Sequence, residues 1–476
     1  VQQTSPAITI DLTPPPTPVV LDDGSYTNRA DRLRANWKWT KPDPESGIRE
    51  YLYTITTKRA LSGGEFWFSN ETETDIEFTN LNLTQGKIYY VVVKSVNNAG
   101  IESEPGFSNG ILVDTTAPSP PLAVDSGDYS LSNNNLRVDL LASDAESGIE
   151  GYRLSLGTLD EPDKVFGERE ILTESGLEHL DLDGLNLEEG QIYFFTVKAI
   201  NRSSLISLET SSDGIMVDSK RPKVAKIKVQ ARYLSDPGRI AFDWQAENSP
   251  SGIIAAQYAI SDNPNGSNLA WQDLDLSGTK VVSGLNLNDG TTYYVYVRVQ
   301  NRAQAENTPD VWSLVAKSDP LTIDQTPPEI IKINAPAFAS QHFLLQWEGK
   351  DVTSGIVEYR YAVGSDRGAT DLTGGWISLK TSDTSISFYR DDLPLGDKHS
   401  CYISVKAKNG AGLWSEVYKT DAIRTDLTPP VITKLEYGSG YLRSRDTIKT
   451  IIWEANDPDT GIAAYRIGMV EEKNND

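Results

Sequence analysis

Leu83-Thr84-Gln85-Gly86-Lys87-Ile88-Tyr89-Tyr90-Val91-Val92-Val93-Lys94 is the stretch that decides the fold. Its second half alternates with period 2: Tyr89, Val91 and Val93 face one way, Tyr90, Val92 and Lys94 the other, as in a strand. The residues are aromatic or β-branched, and a glycine punctuates the approach. The pattern Leu-x-x-Gly-x-x-Tyr returns at Leu187, Gly190 and Tyr193 and at Leu287, Gly290 and Tyr293. A fourth, looser version runs from Leu393 and Gly396, with two extra residues before Cys401-Tyr402. Each run ends at an asparagine: Asn97, Asn201, Asn301 and Asn409.

Two other markers keep step with it. An aspartate followed by threonine or proline recurs at Asp11, Asp114, Asp218, Asp324 and Asp426, spaced 103, 104, 106 and 102 residues apart. Ser-Gly-Ile occurs at Ser46, Ser147, Ser251 and Ser354, with Thr460-Gly461-Ile462 as a fifth copy. Eight residues before each of these glycines stands a large apolar residue: Trp39, Leu140, Trp244, Trp347 and Trp453. The chain is therefore a tandem repeat. The boundaries are 1–10 as the last strand of a preceding copy, then full copies at 11–113, 114–217, 218–323 and 324–425, then 426–476 as the first half of a fifth. That half copy is expected to end after a third strand near Met469. A window cut from a longer array is expected, or a fifth copy completed by another chain. Val1-Gln2-Gln3 carries no signal-peptide pattern. The proline pairs mark the boundaries, since proline lacks an amide donor and stiffens a linker.

About seven short strands in each copy is the pattern of a β-sandwich. The details resemble fibronectin type III domains and the immunoglobulin-like repeats of large prokaryotic surface proteins. The tryptophans Trp39, Trp244, Trp347 and Trp453 match that family's second-strand Trp. Tyr89, Tyr193 and Tyr293 match its tyrosine corner, and Val405-Lys-Ala-Lys-Asn409-Gly-Ala-Gly412 matches the exit of its sixth strand. Leu140 and Cys401 depart from the pattern, and Cys401 puts the fourth corner hydrogen bond in question. The resemblance implies an all-β chain of tandem seven-stranded sandwiches arranged as an elongated rod.

Composition narrows the function. Acidic residues outnumber basic ones 67 to 44, a net charge of −23. Such a surface repels phosphate backbones and anionic lipid, so neither nucleic acid nor membrane is an expected partner. No apolar run is long enough to span a bilayer. The lone cysteine, Cys401, reads as a small buried hydrophobe, and His179, His342 and His399 fall in no metal or catalytic spacing. No enzyme activity is expected. Trp67, Trp271 and Trp376 read as cover for a sheet edge, and Trp312 and Trp414 as the better candidates for exposed contact.

The acidic junction residues recur without an evident packing reason. In a sandwich of this topology the linker aspartate enters beside the B–C and F–G loops. Asp11, Asp43, Glu45 and Asn97 would then gather at one junction, and Asp114, Asp144, Glu146 and Asn201 at the next. Carboxylate and amide oxygens from three segments suit Ca²⁺. A local role competes: aspartate before Thr-Pro caps a turn, and loop Asp or Asn bonds its own backbone.

The reading that follows is a non-catalytic extracellular stalk in a cell-surface protein, an adhesin or a surface-layer or filament component. Its expected partners are neighbouring copies of itself or other surface proteins. The alternative is a spacer or binding region of a secreted polysaccharide-degrading enzyme.

Overall fold

The computed structural model describes residues 6–173, 175–340, 342–380, 384–389, 395–437 and 450–468. Residues 1–5 of the leading tail, Leu393 and Met469 lie outside them. The chain divides into two compact units. One holds the residues up to Pro222 with 248–254 and 300–312; the other holds Lys223–Glu247, 255–299 and the chain from Ser313 onward.

Repeat 1 sets the pattern. Its strands are β1 (Val19–Asp22), β2 (Tyr26–Thr27), β3 (Arg32–Lys38), β4 (Ile48–Thr56), β5 (Phe68–Ser69), β6 (Asp75–Thr79), β7 (Ile88–Asn97), β8 (Gly106–Phe107) and β9 (Ile111–Val113). One sheet has the order β1-β3-β6; the other runs β2-β9-β7-β4-β5, with β8 also on β7. The seven strands of the sandwich become nine segments because the first and last each break; the two halves of the first take different partners, while β8 and β9 both stay on β7. β1 pairs antiparallel with β3, whereas β2 pairs parallel with β9. Repeats 2, 3 and 4 repeat this order, so each is a fibronectin type III-like sandwich.

The core follows from alternation. In β3, Leu33, Ala35 and Trp37 are buried while Arg32, Arg34, Asn36 and Lys38 face out. Across the sandwich they meet Tyr51, Val91, Val93 and Ile111. Each buried aliphatic side chain of this size contributes on the order of 1.5–3 kcal/mol.

The core tryptophan of repeat 1 is Trp37, not Trp39. Val20 faces Trp37 across the ladder, as Ala123 faces Leu140, Ile227 faces Trp244 and Ile333 faces Trp347. Trp37 is 3% exposed and Trp39 43%. The B–C loop of repeat 1 is two residues longer, so a count back from Gly47 lands on the wrong tryptophan. Trp39 stacks instead on Tyr51, ring centres 6.3 Å apart.

The tyrosine corner forms in three repeats. The hydroxyls of Tyr89, Tyr193 and Tyr293 accept from Thr84, Glu188 and Asn288 N–H at 3.0, 2.8 and 3.1 Å. In repeat 4, Cys401 takes the tyrosine's place, facing Ile423 as Tyr89 faces Ile111. The missing hydroxyl comes from Thr425, which donates to Gly396 O at 2.6 Å and accepts from His399 N at 3.1 Å. The corner of repeat 4 also keeps its length. Gly86, Gly190 and Gly290 are left-handed and donate to Val113, Val217 and Ile323 O. Lys398, φ +63°, fills that role and donates to Thr425 O at 2.9 Å. The glycine marker had slipped to Gly396, so no extra residues are present.

Repeat 3 replaces its F–G turn with a short helix, α1 (Arg302–Asn307), capped by Asn301. In the fifth copy, the described strands are Val431–Tyr437 and Ile451–Asn456. Residues 461–468 are not a strand, contrary to the pattern of the other copies. In repeat 1 that position, β4, rests on β7, and the fifth copy has no such strand beside it among the described residues.

Candidate functional site

Four of the five linker aspartates, Asp114, Asp218, Asp324 and Asp426, belong to two repeats at once. Their backbone N–H groups complete the pairing of the preceding sandwich. Asp114, Asp218, Asp324 and Asp426 donate to Thr27, Ser130, Leu234 and Ala339 O at 2.9, 2.9, 2.8 and 3.0 Å. Their carboxylates serve the following one. One oxygen of Asp114 accepts from Ser147 Oγ at 2.6 Å and Asn201 Nδ2 at 2.9 Å. Asp11 accepts in the same way from Ser46 Oγ and Asn97 Nδ2, at 2.5 and 2.8 Å. Asp218 takes Ser251 and Asn301, and Asp324 takes Ser354 and Asn409. Asp426 takes the Thr460 hydroxyl. The serine or threonine of the Ser-Gly-Ile marker is thus a partner of the linker, not only a loop residue.

A second carboxylate closes the arrangement. Asp43 Oδ1 accepts the N–H groups of Glu45, Ser46 and Gly47 at 3.1, 2.9 and 3.0 Å, and Oδ2 accepts Asn97 Nδ2 at 3.4 Å. Asp144 holds Glu146, Ser147 and Gly148 and meets Asn201 at 3.0 Å. Asp351 repeats this with Asn409. In repeat 3, Asn248 stands at that position, and Ser249 Oγ bridges Asp218 and Asn301 at 2.7 and 2.9 Å. Burial pushes the Asp114 and Asp43 carboxyls up, but these hydrogen bonds outweigh it and hold both below the ordinary carboxylate range.

The hydrogen-bond network sets the orientation of the asparagine amides. Asn97, Asn201 and Asn409 accept with Oδ1 from the N–H four residues on, at 2.9, 2.8 and 2.9 Å; Asn301 accepts from Gln304 N at 2.9 Å. A flip would set NH₂ against those N–H groups. The NH₂ therefore faces the two carboxylates. Asp11, Asp43 and Glu45 can bring ligand oxygens within 4.8 Å of one another, as can Asp114, Asp144 and Glu146. Asn97 and Asn201, however, offer those clusters a donor rather than a ligand oxygen. Glu45 and Glu146 accept from the Thr13 and Thr116 hydroxyls at 3.1 and 3.2 Å. Neutral donors thus meet the carboxylates of both clusters.

Sequence reasoning missed a third component, the residue just before the corner glycine. Gln85 accepts from Thr115 N at 2.8 Å and donates to Asp114 at 3.1 Å. Glu189 takes Ser219 Oγ; Asp289 takes Gln325 N and Thr326 Oγ1; Asp397 takes Leu427 N and Thr428 Oγ1. The turn that leads into the long strand equivalent to β7 thus tethers, in all four repeats, the linker that leaves that repeat. The signal was an acceptor at that place in every copy. Direct contacts complete two junctions: Asn28 Nδ2 donates to Ser203 O at 3.0 Å, and Asn307 Nδ2 to Tyr129 O at 3.1 Å.

Most of the other tryptophans, the cysteine and one histidine have structural surroundings. Trp67, Trp271 and Trp376 lie under Lys94, Arg298 and Lys406 of the sixth strand, at 4.5, 4.4 and 4.4 Å. Trp414 sits between Lys406 and Arg360, 4.7 Å from each. Cys401 is fully buried, and burial pushes its thiol up to about 11. His179 pairs with Asp139 at 2.8 Å on an outer sheet face.

No family model matches the chain. Among solved structures, it is similar to the Escherichia coli adhesin FdeC at 12% identity and a TM-score of 0.38, over 67% of this chain and 99% of that one. It is similar to titin domains A168–A170 at 13% identity and a TM-score of 0.31, over 66% and 100%. Fibronectin(III)-like modules of CbhA from Clostridium thermocellum are similar at 15% identity and a TM-score of 0.27, over 42% and 94%.

Proposed function

We propose that this chain is a non-catalytic structural region of an extracellular, cell-surface protein, a semi-rigid stalk of tandem sandwiches. The observation that carries the reading is the linker aspartate, whose backbone closes one sandwich while its carboxylate is buried in the loops of the next. A flexible tether has no use for such a residue. A buried carboxylate needs its donors in place, so tilting one repeat away from the next leaves those groups unpaired. Partners would be neighbouring copies or other surface proteins. Immunogold labelling of intact cells with an antibody to repeat 2 tests the placement. Label on unbroken cells is the expected result; label only after lysis would overturn it.

A further inference from the structure

We propose that the cleft between repeats 1 and 2 binds an oxyanion, a sulfate or a sulfate ester on a sugar. Both repeats belong to the same compact unit. The cleft is about 280 Å³; its charged lining is Arg29, Arg32, Arg34, Asp23 and Glu77 from repeat 1 and Arg202, beside Ser203, from repeat 2. Four arginines thus line one cleft of a chain whose net charge is −23.

The acidic side chains present do not neutralise all four. Arg29 is held by both oxygens of Asp31, at 3.0 and 3.1 Å. Glu77 stands opposite Arg34 in the ladder, yet its carboxylate pairs with Arg32 at 3.1 Å. Among the described residues, Arg34 and Arg202 have no ion-pair partner. Ser203 is 5% exposed and its hydroxyl makes no hydrogen bond, while its carbonyl accepts from Asn28.

Guanidinium groups recognise oxyanions through paired N–H donors, and Arg34 and Arg202 would supply them from two different repeats. A bound oxyanion would therefore bridge the junction. The cleft has room for one oxyanion with part of the group that carries it.

Calorimetric titration of the full chain at low ionic strength tests this, with sodium sulfate, a sulfated disaccharide and sodium chloride as probes. One saturable sulfate site is expected, with chloride much weaker. Arg34→Gln and Arg202→Gln should each weaken it about tenfold, and the pair should abolish it. Both side chains are exposed, so the variants should keep the wild-type circular dichroism and melting temperature. Arg137→Gln, which lies on repeat 2 outside the cleft, should leave binding unchanged. Tighter binding of the disaccharide would identify a sulfated polysaccharide as the source; equal binding would identify free sulfate. No saturable binding, or binding that survives the double variant, would overturn the proposal.

Discussion

Asp114 and Asn201 meet carboxylate to amide at 2.9 Å, with the Asn201 nitrogen as donor. Both residues are fully buried, and 87 positions of sequence separate them. Asp114→Ala would strip Asn201, Ser147 and Gln85 of a shared acceptor. Unpaired buried donors of this kind cost about 2–3 kcal/mol. Urea denaturation followed by circular dichroism should show that loss, and Asn201→Ala should show a similar one. The double variant should lose less than the sum, because the two act on one interaction.

Acid should loosen the same junctions. Asp43 and Asp114 have folded pKa values below the ordinary range. Their contribution is fully present above the unfolded carboxylate value of about 4. It falls away as pH drops through their lower folded values. Urea midpoints measured from pH 7 down to pH 3 should decline below that point, and Asp114→Asn should flatten the decline.

The two tryptophans of β3 and its following loop should behave very differently. Trp37→Ala empties a core site and should cost roughly 3–5 kcal/mol. Trp39→Ala removes a half-exposed ring and should cost about 1 kcal/mol or less. Unfolding of the full chain, read at repeat 1 by hydrogen exchange, separates the two.

Repeat 4 carries a correctable strain. Lys398 holds a left-handed conformation that glycine adopts in the other complete repeats. Lys398→Gly relieves backbone strain of roughly 0.5–1 kcal/mol but gives up the exposed ion pair to Asp459 at 3.1 Å, so the net gain should be smaller. Thr425→Val, which removes the hydroxyl standing in for the tyrosine corner, should destabilise it by about 1–2 kcal/mol. Alkylation of Cys401, whose thiol burial has pushed up to about 11, reports on both. Labelling at pH 7 should be slow and should track the opening of repeat 4.

Calcium should have little effect. With Asn97 and Asn201 turned nitrogen-first towards the carboxylates, added calcium should leave the melting temperature unchanged. A calcium-dependent rise lost in Glu146→Gln would show that the amides turn over to admit an ion.

The sandwich was legible because packing repeats itself: Tyr89, Tyr193 and Tyr293 are corner residues in sequence and in space. Position was less legible where loop length varies. A two-residue insertion moved the core tryptophan from the counted Trp39 to Trp37. A lysine in a glycine's place hid the corner of repeat 4, since side-chain type normally marks a left-handed turn. The junction residues were visible as a set, but their chemistry was not. Which end of Asn201 faces Asp114 depends on the N–H of Leu205, a backbone group that leaves no trace in the sequence. Gln85, Glu189, Asp289 and Asp397 escaped notice because three residue types share one acceptor role.

The central claim is that each linker aspartate after Asp11 fixes two neighbouring repeats against each other. Spin labels at Ser62→Cys in repeat 1 and Glu170→Cys in repeat 2 would report the distance between them by double electron–electron resonance. The wild-type background should give one narrow distribution, and Asp114→Ala should broaden it while both sandwiches stay folded. Distributions of equal width in the two proteins would contradict the account.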